Sequence, residues 1–278
     1  MSGPAEPPAR TGTRRLLAEH GIRPDTDLGQ HFLLDENLAD LAVRRGRVGP
    51  DDVVLEVGPG VGTLTAALAR AAACVHAIEI DERLRPALAS VLAGHANVRL
   101  RFADALRVDL GALEPAPTRV VANLPYSIAT PLVLETLWDL PDVGAWCVMV
   151  QRELADRWLA DHGSRLYGAP SVLLQLAASQ TFLRAVGPQA FVPRPRVESA
   201  LVAFDRVAPG PSPAVRSLVQ AAFATRRKTL VNALSAAGRD RAEVASAIAA
   251  LGLSPAVRAE ALPPAAFAEL ARELAWTA

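Results

Sequence analysis

The sequence predicts an α/β fold in which helices cover both faces of a mostly parallel sheet, followed by a small all-helical domain. Three observations predict it. Between residues 51 and about 207, short apolar runs of strand length alternate with segments of helical period. Beyond the Pro- and Gly-rich run at 207–213, strand patterns stop and helical periodicity alone remains. The composition supplies a core. Of 278 residues, 51% are apolar and 21% charged, and at roughly 100–200 residues per domain the length suits one large domain or two unequal ones.

In chain order, residues 1–27 are expected to form a loose tail with a short helix over 13–20. The run 1–10 is rich in Pro and Ala but has no apolar stretch, so it does not read as a secretory signal. No window approaches the roughly 18 uninterrupted apolar residues of a membrane span, so no membrane partner is expected. A first domain over 28–207 carries strands at 53–57, 75–80, 98–102, 119–123, 145–150, 181–186 and 200–204. Helices are expected between them at 64–72, 83–93, 131–140, 153–160 and 171–179. The last two strands have no long helix between them, which predicts an antiparallel hairpin at one sheet edge. A second domain over 208–278 carries helices at 214–237, 242–251 and 264–275.

Cys74 and Cys147 both sit in apolar runs and read as buried thiols. Two cysteines make neither a disulfide framework nor a zinc cage, so no metal and a reducing, cytoplasmic setting are expected. The formal net charge is zero, but its distribution is uneven. Residues 51–150 hold 12 Asp/Glu against 7 Arg, a net of −5, and residues 184–241 hold 10 Arg/Lys against 3 Asp/Glu, a net of +7. Such asymmetry points to an anionic partner that the total hides, against the plainer reading of a solvated face. Lys228 is the single lysine, and the arginine bias is read as base composition of the genome.

The first candidate loop follows the strand at 53–57. Gly58, Gly60 and Gly62 let the chain turn sharply and approach a ligand with no Cβ in the way. The turn lies at the carboxyl end of a strand, where open α/β sheets bind ligands. The spacing is not that of a dinucleotide fingerprint, which places its last Gly three residues after the second. Pro59 and the acidic Glu56 disfavour a pyrophosphate and favour an uncharged or cationic neighbour. Glu79, about 20 residues beyond the loop, sits where a carboxylate takes ribose hydroxyls. Asp104 ends the third strand and can accept from an adenine amine. Three such tips suit S-adenosylmethionine (SAM), while a loop-start or capping role is the plainer reading of each acid alone.

The second loop carries the chemistry. Asn123, Leu124, Pro125 and Tyr126 follow the strand at 119–123. An exocyclic adenine amine is a poor nucleophile because its lone pair is delocalised into the ring. The Asn123 amide oxygen and a carbonyl freed at Pro125 can each accept one N–H and turn the lone pair toward a sulfonium methyl. Tyr126 offers a face for the base to stack on. Positioning and oxygen dipoles then carry the rate, without a titratable base.

These motifs resemble those of a family. Gly29 to Asp35 (Gly-Gln-His-Phe-Leu-Leu-Asp), Glu56 to Thr65, and Asn123 to Tyr126 match in order and spacing. So do Val150 to Glu153, Phe191 to Ser199 and Phe223 to Thr229. Together, over about 28–252, they look like the ribosomal RNA adenine N6-dimethyltransferases, the KsgA/RsmA small-subunit enzymes. The resemblance implies a Rossmann-like SAM-dependent methyltransferase sheet and dimethylation of two adjacent adenosines near the 3′ end of 16S rRNA. It also implies action on an assembling small ribosomal subunit, in the cytoplasm, with a monomer expected. SAM contacts would fall on His31, Leu33, Gly58, Glu79, Asp104 and Asn123, with the segment 30–33 closing over the methionine end. Phe191 would face Tyr126 across the base. Apart from the resemblance, the basic stretch itself offers RNA contacts at Arg194, Arg196, Arg226, Arg227 and Lys228, the last three on one long helix, against the plainer reading of a solvated helix end. His31 and Ser127 stand where the family usually has Asn, and Pro170 where it usually has Leu.

Three other readings compete. The related 23S rRNA enzymes of macrolide resistance are opposed by the segment 223–229 and the long helical domain. A catalytically silent assembly factor would keep the basic stretch and lose Glu79, Asp104 and the Asn123 turn. A small-molecule N-methyltransferase would not need the basic stretch.

Overall fold

A computed structural model describes residues 8–25, 28–225 and 227–277, the side chains of 8–11 excepted. The chain forms two compact units: one runs to Arg152 and includes Gln180–Arg206, and the other joins Glu153–Ser179 to the chain from Val207 onward.

The first unit is built on a sheet. In chain order its elements are α1 (Pro8–Glu19), β1 (Phe32–Leu33), α2 (Glu36–Arg45), β2 (Val53–Val57), α3 (Thr63–Ala71), β3 (Cys74–Glu79), α4 (Arg85–Leu92), β4 (Val98–Phe102), β5 (Arg119–Asn123), α5 (Ala129–Asp139) and β6 (Ala145–Gln151). It ends with β7 (Ala178–Val186), β8 (Phe191–Val192) and β9 (Ser199–Arg206), β7 starting in the other unit. Seven strands lie in the order β4-β3-β2-β5-β6-β9-β7. Pairings among β4, β3, β2, β5 and β6 are parallel, and β9 is antiparallel to β6. The central strands β2 and β3 are buried at every position, as parallel strands covered on both faces must be. Edge strand β4 instead alternates, with Arg99 and Arg101 exposed. The chain builds β3 and β4 to one side of β2, then returns to build β5 and β6 on the other. The crevice at the carboxyl ends of β2 and β5 is therefore the switch point where ligands bind.

Helix α2 is not among the expected elements, although its signals are present. Asp35 caps it by accepting from Asn37 N (3.0 Å), Arg44 and Arg45 close its last turn, and Leu38, Ala39 and Ala42 are buried. The α1 helix starts earlier than expected and is no loose tail. Thr13 Oγ1 donates to the Leu33 carbonyl (3.0 Å), and Leu17 packs with Phe32, Val61, Leu84 and Leu88. The two-residue strands β1 and β8 also escape the sequence pattern. They pair antiparallel, Phe32 with Val192 and Leu33 with Phe191.

The second unit is helical: α6 (Arg152–Trp158), α7 (Ala169–Gln175), α8 (Pro213–Phe223), α9 (Leu230–Ala236), α10 (Arg241–Ala250) and α11 (Pro264–Glu273). It takes in Glu153–Ser179, which the sequence places in the 28–207 domain. Tyr167 shows why. Its hydroxyl donates to the Leu262 carbonyl (2.9 Å), and its ring packs edge-on against Phe223, which in turn packs on Phe267. Pro170 fits here without strain, because it lies in the first turn of α7, where no N–H is needed.

The expected single helix over 214–237 is two helices. Thr229 adopts extended geometry and caps α9 by accepting from Asn232 N (3.4 Å). Arg227 and Lys228 therefore lie exposed in the turn between α8 and α9, not on a helix, and Arg226 lies outside the described residues.

Candidate active site

A cleft opens at the carboxyl ends of β2, β3, β4 and β5, roofed by the strap 28–33. The loop after β2 forms its floor. Gly58 has φ +74°, and a Cβ there would come 3.3 Å from Pro125 Cδ; Gly60 has φ +60°, and a Cβ there would meet the Phe32 ring at 2.8 Å. Glycine is thus required twice, by backbone angle and by the closeness of the second loop and the strap.

Glu79 and Asp104 both line this cleft. Glu79 is 4% exposed. One carboxylate oxygen accepts from Ile80 N (2.9 Å) and Asp81 N (3.0 Å), and the other from Gly60 N (3.0 Å). The acid thus ties the tip of β3 to the glycine loop. Three of about four lone-pair directions are used, which leaves one outward acceptor on Oε2. Burial raises its pKa, opposed by those three N–H groups. Asp104 caps the short turn after β4 by accepting from Leu106 N (3.1 Å), and Arg107 lies 3.3 Å from its other oxygen. The capping reading of Asp104 therefore holds alongside its place on the cleft wall.

Among the acids that line the cleft, Glu56 is the least satisfied. It lines the cleft at 1% exposure, and its Oε2 has no hydrogen-bond partner among the described residues. Burial pushes its pKa up to about 8, and the nearby Glu79 adds to the rise. The sign of the linkage follows. Folding is penalised from above the ordinary carboxyl pKa, near 4.5, and the penalty is complete above about 8. The ligand-free protein is therefore expected to lose thermal stability from pH 6 to pH 8.5, and Glu56→Gln to flatten that loss. Parallel melting-temperature curves for the two proteins would show that Glu56 is not buried as the neutral acid.

Asn123 projects from the tip of β5, and its amide nitrogen donates to the His31 carbonyl (3.0 Å). Only the NH2 end can donate, so the strap fixes the amide with Oδ1 as the free acceptor. At the next positions the structure corrects the expectation. The Pro125 carbonyl turns back to accept from Ile128 N (3.2 Å). The Leu124 carbonyl, ahead of the proline, takes no bond from a described residue, and Leu124 lines the cleft. The main-chain acceptor of this turn is therefore that of Leu124.

Tyr126 is half-buried on the cleft wall. Its hydroxyl shares a hydrogen bond with the buried Ser199 (3.0 Å), and its ring lies 5.7 Å from the His31 imidazole at 31°. The sequence assigned Tyr126 a role for its ring alone; the Ser199 bond adds one for the hydroxyl. A bond of this kind is worth about 1 kcal/mol net. Tyr126→Phe and Ser199→Ala should therefore each slow turnover by roughly fivefold, and the double variant no further. Additive losses would mean that the two hydroxyls act separately.

His31 and Leu33 both line the cleft, whereas Phe191 is placed differently from the expectation. The His31 Nδ1 bonds to the Pro193 carbonyl (2.8 Å), so the ring is held beside Tyr126. Phe191 does not face Tyr126. It is 1% exposed in the core with Leu33, because the β1–β8 register turns both side chains inward. Leu33 is buried too, and it meets the strap's neighbours through its carbonyl, which accepts from Thr13 and Thr63. Arg194 and Arg196 are exposed on the segment after β8, and Ser127 is exposed at the cleft. Cys74 and Cys147 are free and buried, and burial pushes Cys147 up to about 12. Among the described residues, no cluster of His, Cys, Asp and Glu could hold a metal ion, and no helix is long and apolar enough to cross a membrane.

Comparison with known proteins follows the same lines. The family profile described as "Ribosomal RNA adenine dimethylase" matches residues 22–275. A protein of Rubrobacter xylanophilus named "Ribosomal RNA small subunit methyltransferase A" is 47% identical over 254 residues, covering 91% of this chain and 95% of its own. One of Deinococcus radiodurans with the same name is 45% identical over 264 residues, covering 94% and 89%. Among solved structures, a dimethyladenosine transferase from Plasmodium falciparum superposes with TM-score 0.73 at 22% identity, covering 86% of this chain and 96% of that one. The 23S rRNA methyltransferase ErmE superposes with TM-score 0.66 at 27% identity, covering 88% and 99%. The Rossmann-like methyltransferase sheet expected from the sequence is shared with both.

Proposed function

The chain belongs to the ribosomal RNA adenine dimethylase family, and on that premise we propose that it uses SAM to dimethylate N6 of two adjacent adenosines near the 3′ end of 16S rRNA. It does so on an assembling small ribosomal subunit, as a cytoplasmic monomer. That it is an rRNA methyltransferase follows from the family itself. The observation that carries the reading of the chemistry is Asn123, whose amide is pinned by the His31 carbonyl so that Oδ1 stays free as an acceptor.

The cleft fits SAM on its own terms. The unpartnered Glu56 oxygen is a buried acceptor waiting for a cationic or donating group, and a bound cation would draw its proton off. Glu79 Oε2 keeps one outward acceptor for a ribose hydroxyl. Ile80 is exposed at the cleft lip, where an apolar face suits a purine. When bound, SAM supplies a methyl group on a sulfonium, with a neutral thioether as leaving group. The chain's own residues orient the acceptor. In the first transfer Asn123 Oδ1 and the Leu124 carbonyl accept the two N–H bonds of the amine, and Tyr126 stacks on the base. In the second the methylated amine has one N–H left for these acceptors, and each displaced proton passes to solvent. The same oxygen dipoles meet the positive charge that develops on the nitrogen.

Identity to small-subunit relatives at 45–47% over nine-tenths of the chain favours 16S over 23S rRNA. The test is methylation of purified subunits from a strain lacking the enzyme. Methyl groups on two adjacent adenines of the small subunit are expected; labelling of the large subunit alone would overturn the choice of substrate. For RNA contact we assign Arg194, Arg196, Arg226, Arg227 and Lys228. Each cation withdrawn from a phosphate lowers the slope of log K against log[salt] by about 0.7–0.9. Replacing 226–228 by Ala is expected to weaken subunit binding and flatten that slope by roughly two units. SAM affinity should stay as it was. An unchanged slope would return this turn to the solvated surface.

A further inference from the structure

The strap that pins Asn123 is itself anchored, and the anchor is Gln30. Its amide nitrogen donates to Asp81 Oδ2 (2.7 Å), and its amide oxygen accepts from Asp25 N (2.8 Å). The Gln30 main-chain N–H donates to the Asp25 carbonyl (3.1 Å). Asp81 is 6% exposed and strongly held. Arg83 donates to it from Nε (2.8 Å) and Nη2 (2.7 Å), and these bonds keep its carboxyl below the ordinary range. Arg83 also reaches Asp25 at 3.4 Å. Asp81 N, in turn, donates to Glu79, the carboxylate that holds the glycine loop. One bonded chain thus runs from Gly60 through Glu79, Asp81 and Gln30 to His31, whose carbonyl holds Asn123.

We propose that Gln30 is a positioning residue for methyl transfer: it latches the strap to the ribose corner, and so holds Asn123 with Oδ1 turned to the acceptor amine. The inference rests on the methyltransferase reading above and adds a residue to it. The physical case is a matter of reach. Among the described residues, the strap's only regular pairing is the two-residue β1–β8 ladder, with Gly29 at φ +68° ahead of it. A ladder so short leaves residues 28–31 to be placed by side-chain bonds, and the bond from Gln30 to a buried, ionised Asp81 is the charge-assisted one among them. Without it the His31 carbonyl can drift, and the Asn123 amide is free to turn its NH2 end to the cleft. That end cannot accept an N–H.

Gln30→Ala removes both side-chain bonds. Gln30→Glu keeps the length and the acceptor for Asp25 N but sets a second carboxylate against Asp81. Among the described residues, the charged groups facing the position are Asp81, Arg83 and Asp25, with Glu79 behind Asp81 and the Glu82–Arg85 pair on the next turn. At saturating SAM, single-turnover methylation of small subunits is expected to fall tenfold or more in Gln30→Ala. SAM affinity should fall by a smaller factor. In Gln30→Glu the loss should be deepest at pH 8. It should shrink several-fold relative to wild type at pH 6, where the introduced carboxyl takes up a proton and can donate to Asp81. Amide hydrogen exchange at Phe32 and Leu33 should speed up in Gln30→Ala, with the melting transition retained. Rates within twofold of wild type at saturating SAM, or a pH-independent ratio for Gln30→Glu, would overturn the latch. If wild type itself leaves the subunits unmethylated, the functional reading fails instead. The latch is then judged by exchange alone: unchanged protection at Phe32 and Leu33 overturns it.

Discussion

Asn123→Ala is expected to cost about 10²-fold in single-turnover methyl transfer, the loss typical of one well-placed polar group that meets transition-state charge. The reason lies in the two ends of the amide. The NH2 end is spent on the His31 carbonyl, so in the proposed mechanism the oxygen is the end that meets the amine. Alanine removes the oxygen and with it one of two acceptors that orient the amine. Asn123→Asp separates the two roles. It keeps an oxygen toward the cleft but cannot donate to His31, and sets a carboxylate against that carbonyl. It should therefore be slow as well, with a faster-exchanging strap, whereas the alanine variant loosens the strap less. SAM affinity should fall less than turnover in both. An alanine variant within threefold of wild type in single turnover would remove alignment by Asn123 from the mechanism.

Glu79→Ala is expected to weaken SAM binding by tenfold or more in calorimetry. Charge-assisted hydrogen bonds are worth about 1.5–3 kcal/mol each, and a tenfold change is about 1.4 kcal/mol. The structure enlarges the expected loss. Glu79 accepts from Gly60, Ile80 and Asp81 N–H, so its removal also frees the glycine loop and leaves three donors without a partner. Glu79→Gln tests the same point with nearly the same volume. Its oxygen can serve Ile80 and Asp81, but its NH2 end then opposes the Gly60 N–H, donor against donor. Both variants should bind SAM weakly and melt at lower temperature than wild type. Wild-type affinity in a folded Glu79→Ala would place the ribose elsewhere.

How much of this is legible in the sequence depends on the range of the interactions. The strands β2 and β5 stand where the apolar runs predict them, because a strand covered on both faces is apolar through its centre, and β4 stands where its alternating edge pattern predicts it. The glycine loop, Glu79, Asp104 and Asn123 meet at one cleft because each follows a strand of one parallel sheet, and sequence order alone puts them at its carboxyl end. Helix α2 is equally legible, through the Asp35 cap and the 38-39-42 spacing, although the expected elements omit it.

Other features depend on partners far away in the chain. Phe191 is an aromatic beside a Pro-rich segment in the sequence. Only its register with Leu33, some 160 residues earlier, turns it into the core. Pro125 and Leu124 both offer carbonyls at the same turn, and the local bond from Ile128 N decides which one stays free. The break at Thr229 is a choice of backbone angle within a continuous helical period, which no apolar pattern encodes. The sequence by itself determined the sheet, its carboxyl-end cleft, and the acids and amide that line it. These follow from periodicity and strand order. The tertiary structure alone decided which end of each polar group faces the ligand. That depends on partners brought in across 51 to 162 residues: His31 for Asn123, Gln30 for Asp81, Pro193 for His31 and Ser199 for Tyr126. A hydrogen bond is directional and short, so its partner is set by where the chain returns in space, and composition carries no record of that.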